Sequence, residues 1–241
     1  MSHPKYPEKD LQMAFYPSSE ISKNVARMLL DSGCVQVRKE EPFRLPSGWA
    51  SPVYMDCRRL ISFPAARREL VKQGLDLLRQ RGCLDGIQSI VGAEASGIAF
   101  AAWMADELEL PLQYVRKQTR GIGHGSQMVG VTPQASRVLL VDDMVAAGTS
   151  KVNFLRAITS AGAGVKDLFV IFDYGTFPVE ALLAPFGVAL HALATWTDVL
   201  AVGRDSGHLD AGAVAEIEAF LANPAQWSSV HGGISDMKPV V

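Results

Sequence analysis

The chain has 241 residues, of which 48% are hydrophobic and 20% are charged, a composition that allows a globular domain with a sizeable core. Its formal net charge of −2 gives no bulk basic surface, which argues against binding to nucleic acid or to an anionic membrane. No apolar stretch reaches the roughly 20 residues of a membrane span, and the three cysteines lack the spacing of a zinc site, so we expect reduced thiols in a cytoplasmic protein.

The chain begins with segments that predict an arm and a small cap. Residues 1–17 are polar and contain proline, which indicates a flexible N-terminal arm and not a signal peptide. Apolar residues at helical spacing over residues 21–29 predict a helix, with start signals at residues 18–20 and an end at Gly33. Residues 43–56 predict a hairpin with a Ser-Gly turn. Residues 18–62 are therefore expected to form a cap.

From Pro64 onward, helices and apolar strands alternate, and the first of these helices is predicted to run to Arg81. Strands are predicted at residues 87–91, 112–115, 137–141, 168–172 and 188–193, and helices at residues 98–108, 150–161 and 177–186. Apolar strands separated by helices indicate an α/β domain with a central parallel sheet that is covered on both faces. This core is predicted over residues 63–210. A C-terminal helix, ended by an Asn-Pro pair, and a tail are predicted over residues 211–241.

The most informative stretch is a strand, a turn and a helix start from Val138 to Ser150. The apolar strand ends in Asp142 and Asp143, and a turn of small residues with Gly148 leads into the helix. Free N–H groups at a helix start bind phosphate, and paired carboxylates suit the hydroxyls of a ribose or a metal ion. Paired acids alone also fit a phosphoacceptor domain or a helix cap, but this order of residues favours a phosphoribosyl site.

This stretch resembles the motif with which type I phosphoribosyltransferases bind 5-phosphoribosyl 1-diphosphate (PRPP). The resemblance implies that Asp142 and Asp143 hold the ribose hydroxyls and assist the Mg²⁺ that PRPP carries. It also implies that the turn cradles the 5′-phosphate. The PRPP-binding residues of the turn are then Met144, Val145, Ala146, Ala147, Gly148, Thr149 and Ser150.

Three further stretches and a C-terminal tail resemble the orotate branch of that family. Residues 43–58 are similar to the hairpin that covers the base, residues 114–121 to the start of the mobile catalytic loop, and residues 227–235 to the tail of a longer bacterial form. The pyrophosphate-side loop is matched by Glu94, Ala95, Ser96 and Gly97, and the cations of the mobile loop by Arg116, Lys117 and Arg120. The resemblance implies that Lys117 and Arg120 act in catalysis with the two acids. Cations placed there favour the departure of pyrophosphate, and closure of a glycine-rich loop excludes water.

Several positions differ from the pattern of the family. At the base end, relatives often carry Lys, Thr and Arg where this chain has Pro46, Ala146 and the pair Asp173-Tyr174. In the mobile loop, Arg120 replaces a lysine, and His124 lies two residues beyond the usual histidine. Orotate carries a carboxylate and needs a cation, for which Arg58 is preferred over Arg44 and Arg59. The alternative is that Arg58 pairs with Asp56. The base-binding candidates are Tyr54, Arg58, Ala146 and Tyr174, while Trp49 fits either stacking on a base or core packing.

The resemblance therefore implies the type I phosphoribosyltransferase fold and an Mg²⁺-dependent enzyme that joins orotate to the ribose of PRPP. No nucleophilic residue is required, since positioning and electrostatics carry such a reaction. The resemblance also implies a homodimer in which the mobile loop reaches the neighbouring site. Two alternatives stay open: an enzyme that uses another base, and a regulator that senses PRPP or a nucleotide.

Overall fold

A computed structural model of the protein describes residues 14–38, 40–45, 47–119 and 126–235. The strands are β1 (Ala14–Phe15), β2 (Val35–Val37), β3 (Phe43–Arg44), β4 (Ala50–Ser51), β5 (Val53–Met55), β6 (Ser89–Ala93), β7 (Leu112–Val115), β8 (Met128–Val129), β9 (Arg137–Val141), β10 (Met144–Val145), β11 (Gly164–Asp173) and β12 (Ala189–Thr195). The helices are α1 (Ser19–Asp31), α2 (Pro64–Gln80), α3 (Ser96–Glu107), α4 (Thr149–Ser160), α5 (Val179–Leu183), α6 (Trp196–Ser206), α7 (Ala211–Ala222) and α8 (Pro224–Val230), with 3₁₀ turns at Cys57–Ser62 and Ala184–Phe186.

A central sheet organises the fold in the order β1-β12-β11-β9-β6-β7-β8, with β10 beside β11. Its neighbouring strands are parallel except for the antiparallel pair β7 and β8. Two small antiparallel pairs, β2 with β5 and β3 with β4, lie in the predicted cap. The predicted α/β architecture is confirmed, and the core strands and helices are present with ends shifted by a few residues.

The core lies on both faces of this sheet, because successive side chains of a strand point to opposite sides. In β9, Leu139 and Val141 pack on the face that α1, α2, α3 and α6 cover. Val138 and Leu140 pack on the opposite face, under α4 and α5. Strands buried on both faces are apolar throughout, which is why they could be located in the sequence.

Four strands of two or three residues were not predicted, because such short runs show no periodic pattern. Besides β2 and β10, these are two strands in segments that were expected to be irregular. The first is β1, which pairs with β12 in the register Ala14 to Leu190. The expectation of a loose arm is therefore wrong for these strand residues. The second is β8, which pairs with β7 inside the glycine-rich stretch.

Helix α8 was also not predicted, because the pair Asn223-Pro224 was interpreted only as the end of the preceding helix. The Asn223 side chain accepts a hydrogen bond of 3.1 Å from the N–H of Gln226 and so caps the new helix. Pro224 suits the first turn, where a backbone N–H has no helical partner. One pair of residues thus ends α7 and begins α8.

The other general expectations concern membrane spans and thiols. Within the described ranges, the structure contains no helix of the length and apolarity that a membrane crossing requires. Cys34, Cys57 and Cys83 are buried and free, as expected. His191 is also a core residue, with Nε2 at 3.0 Å from Asp167 Oδ1.

Candidate active site

A cavity of about 640 Å³ lies where the central strands end. Ser96 follows β6, Lys117 follows β7, Asp143 follows β9 and Tyr174 follows β11, so the cavity is at the carboxyl edge of the sheet, where α/β proteins bind their ligands. The lining residues are Leu45, Ser47, Trp49, Tyr54, Met55, Arg58, Ser96, Lys117, Asp143, Met144, Ala146, Ala147, Thr149, Tyr174, Phe177, Phe220 and Ile234.

The predicted phosphate turn forms one wall of this cavity. Gly148 precedes α4 with a φ of 78°, a left-handed conformation that favours glycine. Among the residues that the structure describes, no side chain caps the start of α4, and Thr149 lines the cavity. The N–H of Lys151 donates to the carbonyl of Gly148 at 3.0 Å, so the N–H groups before Lys151 are the ones available to an anion, which the helix dipole favours.

The two adjacent acids have different surroundings. Asp142 is buried, with Oδ2 at 2.5 Å from Lys151 Nζ, and its Oδ1 accepts a hydrogen bond of 2.9 Å from the N–H of Asp143. Asp143 lines the cavity and accepts a hydrogen bond of 2.9 Å from the N–H of Met144. The structure thus brings Asp143 to the cavity, while Asp142 pairs with a lysine inside the fold.

The charge of Asp143 is disfavoured where it lies. Burial, and next the charge of Asp142, raise the pKa of Asp143 to about 7, although Lys151 acts in the opposite direction. A carboxylate with a raised pKa in a cavity is typical of a functional site. A ligand that brings a cation or hydroxyl donors would stabilise its charged form.

Lys151 was missed in the sequence, although a signal was present. In α4, Lys151, Phe154, Leu155 and Ile158 are spaced as one helical face, and all four are buried. A lysine on an apolar face requires a buried partner, and Asp142 provides it.

A second helix start faces the same cavity. The predicted pyrophosphate-side loop joins β6 to α3, and Ser96, the first residue of α3, lines the cavity. Within the part of the chain that the structure describes, no side chain caps the start of α3 either. Glu94 Oε2 accepts a hydrogen bond of 2.8 Å from the N–H of Lys117, which brings this loop to the start of the predicted mobile segment. Two uncapped helix starts suit a ligand with two anionic ends.

Glycine is required where α3 approaches β9. A Cβ on Gly97 would lie 2.8 Å from Asp142 Cα and closer still to the carbonyl oxygen of Val141. The loop must therefore contact the acid-bearing strand end through backbone alone.

We expect Gly97→Ala to lower the free energy of unfolding by about 1–3 kcal/mol, as overpacking does, and to raise KM for an anionic substrate bound at this helix start, because the helix start shifts. Gly164→Ala is the control, since the nearest atom to its added Cβ is 3.9 Å away. Denaturant unfolding and steady-state kinetics measure both effects. Equal stability of the two variants would contradict the close approach.

In the described part of the predicted mobile loop, one of the two cationic side chains lines the cavity and the other does not. Lys117 lines the cavity, whereas the Arg116 guanidinium lies 5.9 Å from the centre of the Tyr114 ring and does not line it. Arg120 and His124 lie outside the described residues.

All four base-binding candidates line the cavity. The alternative for Arg58 is also present, because its Nε lies 2.5 Å from Asp56 Oδ1, and a second nitrogen donates to Tyr54 Oη at 3.1 Å. Arg58 therefore both pairs with Asp56 and lines the cavity.

Tyr174 holds the end of β11 to the cap. Its Oη accepts a hydrogen bond of 3.1 Å from the N–H of Met55, in β5. Asp173, beside it, accepts a hydrogen bond of 2.8 Å from the Tyr16 hydroxyl and does not line the cavity. Arg59 donates to the carbonyl of Ser32 at 3.0 Å, so its role is in the cap.

The apolar end of the cavity was largely missed in the sequence. Trp49 and Phe177 form an edge-to-face pair with ring centres 5.2 Å apart, and Phe220 and Ile234 complete that wall. These residues come from three distant parts of the chain, so no local pattern indicates that they meet.

Known proteins resemble the chain over most of its length. Residues 85–175 match the family model of the phosphoribosyl transferase domain, a segment that contains both helix starts. An orotate phosphoribosyltransferase of Cereibacter sphaeroides is 46% identical over 216 residues, which are 89% of this chain and 93% of that protein. This chain belongs to the orotate phosphoribosyltransferase family. A second member, from Rhizobium rhizogenes, is 40% identical over 94% of this chain and 98% of its own length.

Solved structures agree with membership of the orotate phosphoribosyltransferase family. The family member from Aeropyrum pernix is 31% identical, with a TM-score of 0.64 over 77% of this chain and 99% of that chain. The UMP synthase of Leishmania donovani is 28% identical, with a TM-score of 0.73 over 85% of this chain, which spans 43% of that longer protein. The resemblance seen in the sequence is thereby confirmed.

Proposed function

We propose that the chain transfers the 5-phosphoribosyl group of PRPP to orotate, giving orotidine 5′-monophosphate and pyrophosphate in pyrimidine nucleotide biosynthesis. One observation carries this proposal: a single cavity joins two uncapped helix starts, a carboxylate and an aromatic end that contains an arginine. These parts match the two anionic groups of PRPP, its ribose hydroxyls and a carboxylated pyrimidine.

PRPP would bind between the two helix starts. The turn from Ala146 to Thr149 and the start of α4 would hold the 5′-phosphate, since free N–H groups face the cavity there. Ser96 and Lys117, on the opposite loop, would hold the pyrophosphate. Asp143 would accept hydrogen bonds from the ribose hydroxyls between them.

The residues of the cavity fit Mg²⁺ carried by PRPP. Mg²⁺ prefers oxygen ligands and is usually held by one or two carboxylates together with substrate phosphates. Asp143 offers such a carboxylate at the cavity, whereas Asp142 is already neutralised by Lys151. We therefore assign the metal-assisting role to Asp143 and a positioning role to Asp142. When bound, Mg²⁺ would neutralise charge on the pyrophosphate.

The base would lie at the aromatic end. Tyr54 and Trp49 offer flat faces for a ring. Arg58 uses one N–H for Asp56 and one for Tyr54, and a guanidinium has five, so donors are left for the carboxylate of orotate. Arg58 would thus take the role in holding orotate that the Lys, Thr and Arg have in relatives.

The protein would promote departure of pyrophosphate by electrostatics. Charge builds on the leaving group, and cations placed beforehand stabilise it. Lys117 lines the cavity, and Arg116 and Arg120 would join it when the loop closes and excludes water. The resemblance further implies a homodimer with this loop acting in the neighbouring site. The buried free thiols support a cytoplasmic protein.

The direct test mixes the protein, Mg²⁺, PRPP and orotate, and follows the loss of orotate absorbance with the release of pyrophosphate. We expect one pyrophosphate to be released for each orotate consumed, and turnover to be lost in the double variant Asp142→Asn/Asp143→Asn. Asp205→Asn is the control, because Asp205 is an exposed residue of α6. Turnover with another base alone would replace orotate in the proposal. PRPP binding without turnover on any base would instead indicate a sensor.

A further inference from the structure

The C-terminal part of the chain lines the active-site cavity. Phe220, in α7, and Ile234, after α8, face the same space as Asp143 and Tyr54. Ile234 is next to the cap, since a Cβ on Gly48 would lie 3.4 Å from two of its side-chain carbons. Residues 224–235, here called the C-terminal clasp, are therefore placed to act on the site.

Hydrogen bonds hold the C-terminal clasp to the hairpin of β3 and β4. The N–H of Ile234 donates to the carbonyl of Gly48 at 3.0 Å. The hydroxyl of Ser228, which is fully buried, donates to the carbonyl of Ile234 at 2.7 Å and accepts from the N–H of Ala50 at 2.9 Å. One side chain thus joins the end of the clasp to the strand beside the cavity.

Close packing makes this attachment specific. A Cβ on Gly233 would lie 2.9 Å from the Cβ of Ala50, and closer still to the N–H of Ala50 and the hydroxyl of Ser228. Only glycine allows the clasp to lie so near the hairpin.

The clasp also supports the helix that supplies Phe220. Trp227, in α8, forms an edge-to-face pair with Phe220, with ring centres 5.7 Å apart. His231 stacks on the Trp227 ring with ring centres 3.7 Å apart, and the Trp227 indole donates to Glu216 at 3.3 Å. The position of Phe220 in the cavity therefore depends on α8.

We propose that the C-terminal clasp closes the base end of the active site, with Ile234 and Phe220 as specificity-determining residues that contact the base and Ser228 as a positioning residue. This inference rests on the proposed function, since it names the base as the bound group. A flat ring gains affinity from apolar contacts at one end of a cavity whose polar groups are at the other. The clasp contributes to the apolar end alone, so its loss should affect the base and spare PRPP.

Two matched pairs of variants in the full chain test the proposal. Ile234→Ala removes part of the wall, and Val230→Ala is its control, because Val230 is 75% exposed on α8. Ser228→Ala removes the attachment, and Ser229→Ala, at an exposed neighbouring residue, is its control. We expect Ile234→Ala and Ser228→Ala each to raise KM for orotate at least about tenfold, with KM for PRPP changed less than about threefold. The controls should match the wild-type protein.

A merely structural clasp would give another result. It would raise both KM values together as the melting temperature falls, or leave KM for orotate unchanged in Ile234→Ala and Ser228→Ala, and either outcome overturns the proposal.

Amide hydrogen exchange tests the attachment without substrate. Ser228→Ala should speed exchange at Ala50 and its hairpin, and Ser229→Ala should not, so equal exchange in the two variants would also overturn the proposal. A wild-type protein without turnover on orotate would count against the proposed function, whereas the exchange comparison would still decide whether the clasp holds the hairpin.

Discussion

Replacing Asp143 by asparagine is expected to lower kcat/KM for PRPP by about 10²–10³-fold, the size of effect seen when one charge-stabilising group is removed from an active site. Asp143 lines the cavity, and its neighbour Asp142 is paired with Lys151. Asparagine keeps an oxygen for the N–H of Met144 but loses the charge that would face Mg²⁺ and the ribose hydroxyls. Steady-state kinetics with PRPP varied measure the loss.

The stability of the same variant should depend on pH in a defined direction. The pKa of Asp143 is raised by burial to about 7 in the folded protein, above its ordinary value of 3.8. The stabilising contribution of the protonated form is present below about pH 4 and is lost as the pH rises through 7. Without Mg²⁺ and PRPP, Asp143→Asn should therefore become more stable relative to the wild-type protein between pH 4 and 8. Melting curves across this range would refute the assignment if the difference in stability stayed constant or if the variant became less stable relative to the wild-type protein as the pH rose.

Replacing Lys151 by methionine is expected to destabilise the protein by about 3–5 kcal/mol, because it leaves a buried carboxylate without its partner. Lys151 and Asp142 are each 5% exposed, so water cannot compensate the charge of Asp142 when the ammonium group is removed. Denaturant unfolding at neutral pH measures the loss.

Two further variants separate this pair from ordinary ion pairs. Lys151→Met combined with Asp142→Asn removes both charges and should recover most of the stability. Lys72→Met breaks an i,i+4 pair with Asp76 in which the lysine side chain is 68% exposed, and it should cost less than about 1 kcal/mol. The interpretation of Asp142 as a positioning residue would have to be abandoned if Lys151→Met were no more harmful than Lys72→Met.

Local sequence patterns were sufficient to predict the core strands and the phosphate turn. Strand β9 was predicted with its observed ends, because four buried residues after Arg137 form a continuous apolar run, as in a strand covered on both faces. Gly148 and the acids lie within a few residues of that strand, so the order of residues alone indicated their place at the edge of the sheet.

Features that depend on distant contacts were less predictable. The different surroundings of Asp142 and Asp143 follow from Lys151, whose burial depends on how α4 packs on the sheet. The apolar wall depends on Phe177, Phe220 and Ile234, which meet Trp49 only in the folded chain. Periodicity reports which face of an element is buried, but it does not report which element covers it.

The hydrogen bond between Gly48 and Ile234 bears on the order in which the protein assembles. It joins residues that are 186 positions apart in the sequence (234 − 48), and bringing distant segments together carries a larger entropic cost than forming a turn between neighbours. The strand, turn and helix around Gly148 are contiguous and can form early, whereas the wall that contains Ile234 needs nearly the whole chain. A molecule late in folding would thus have a native binding site for a sugar phosphate before its binding site for the heterocycle is closed.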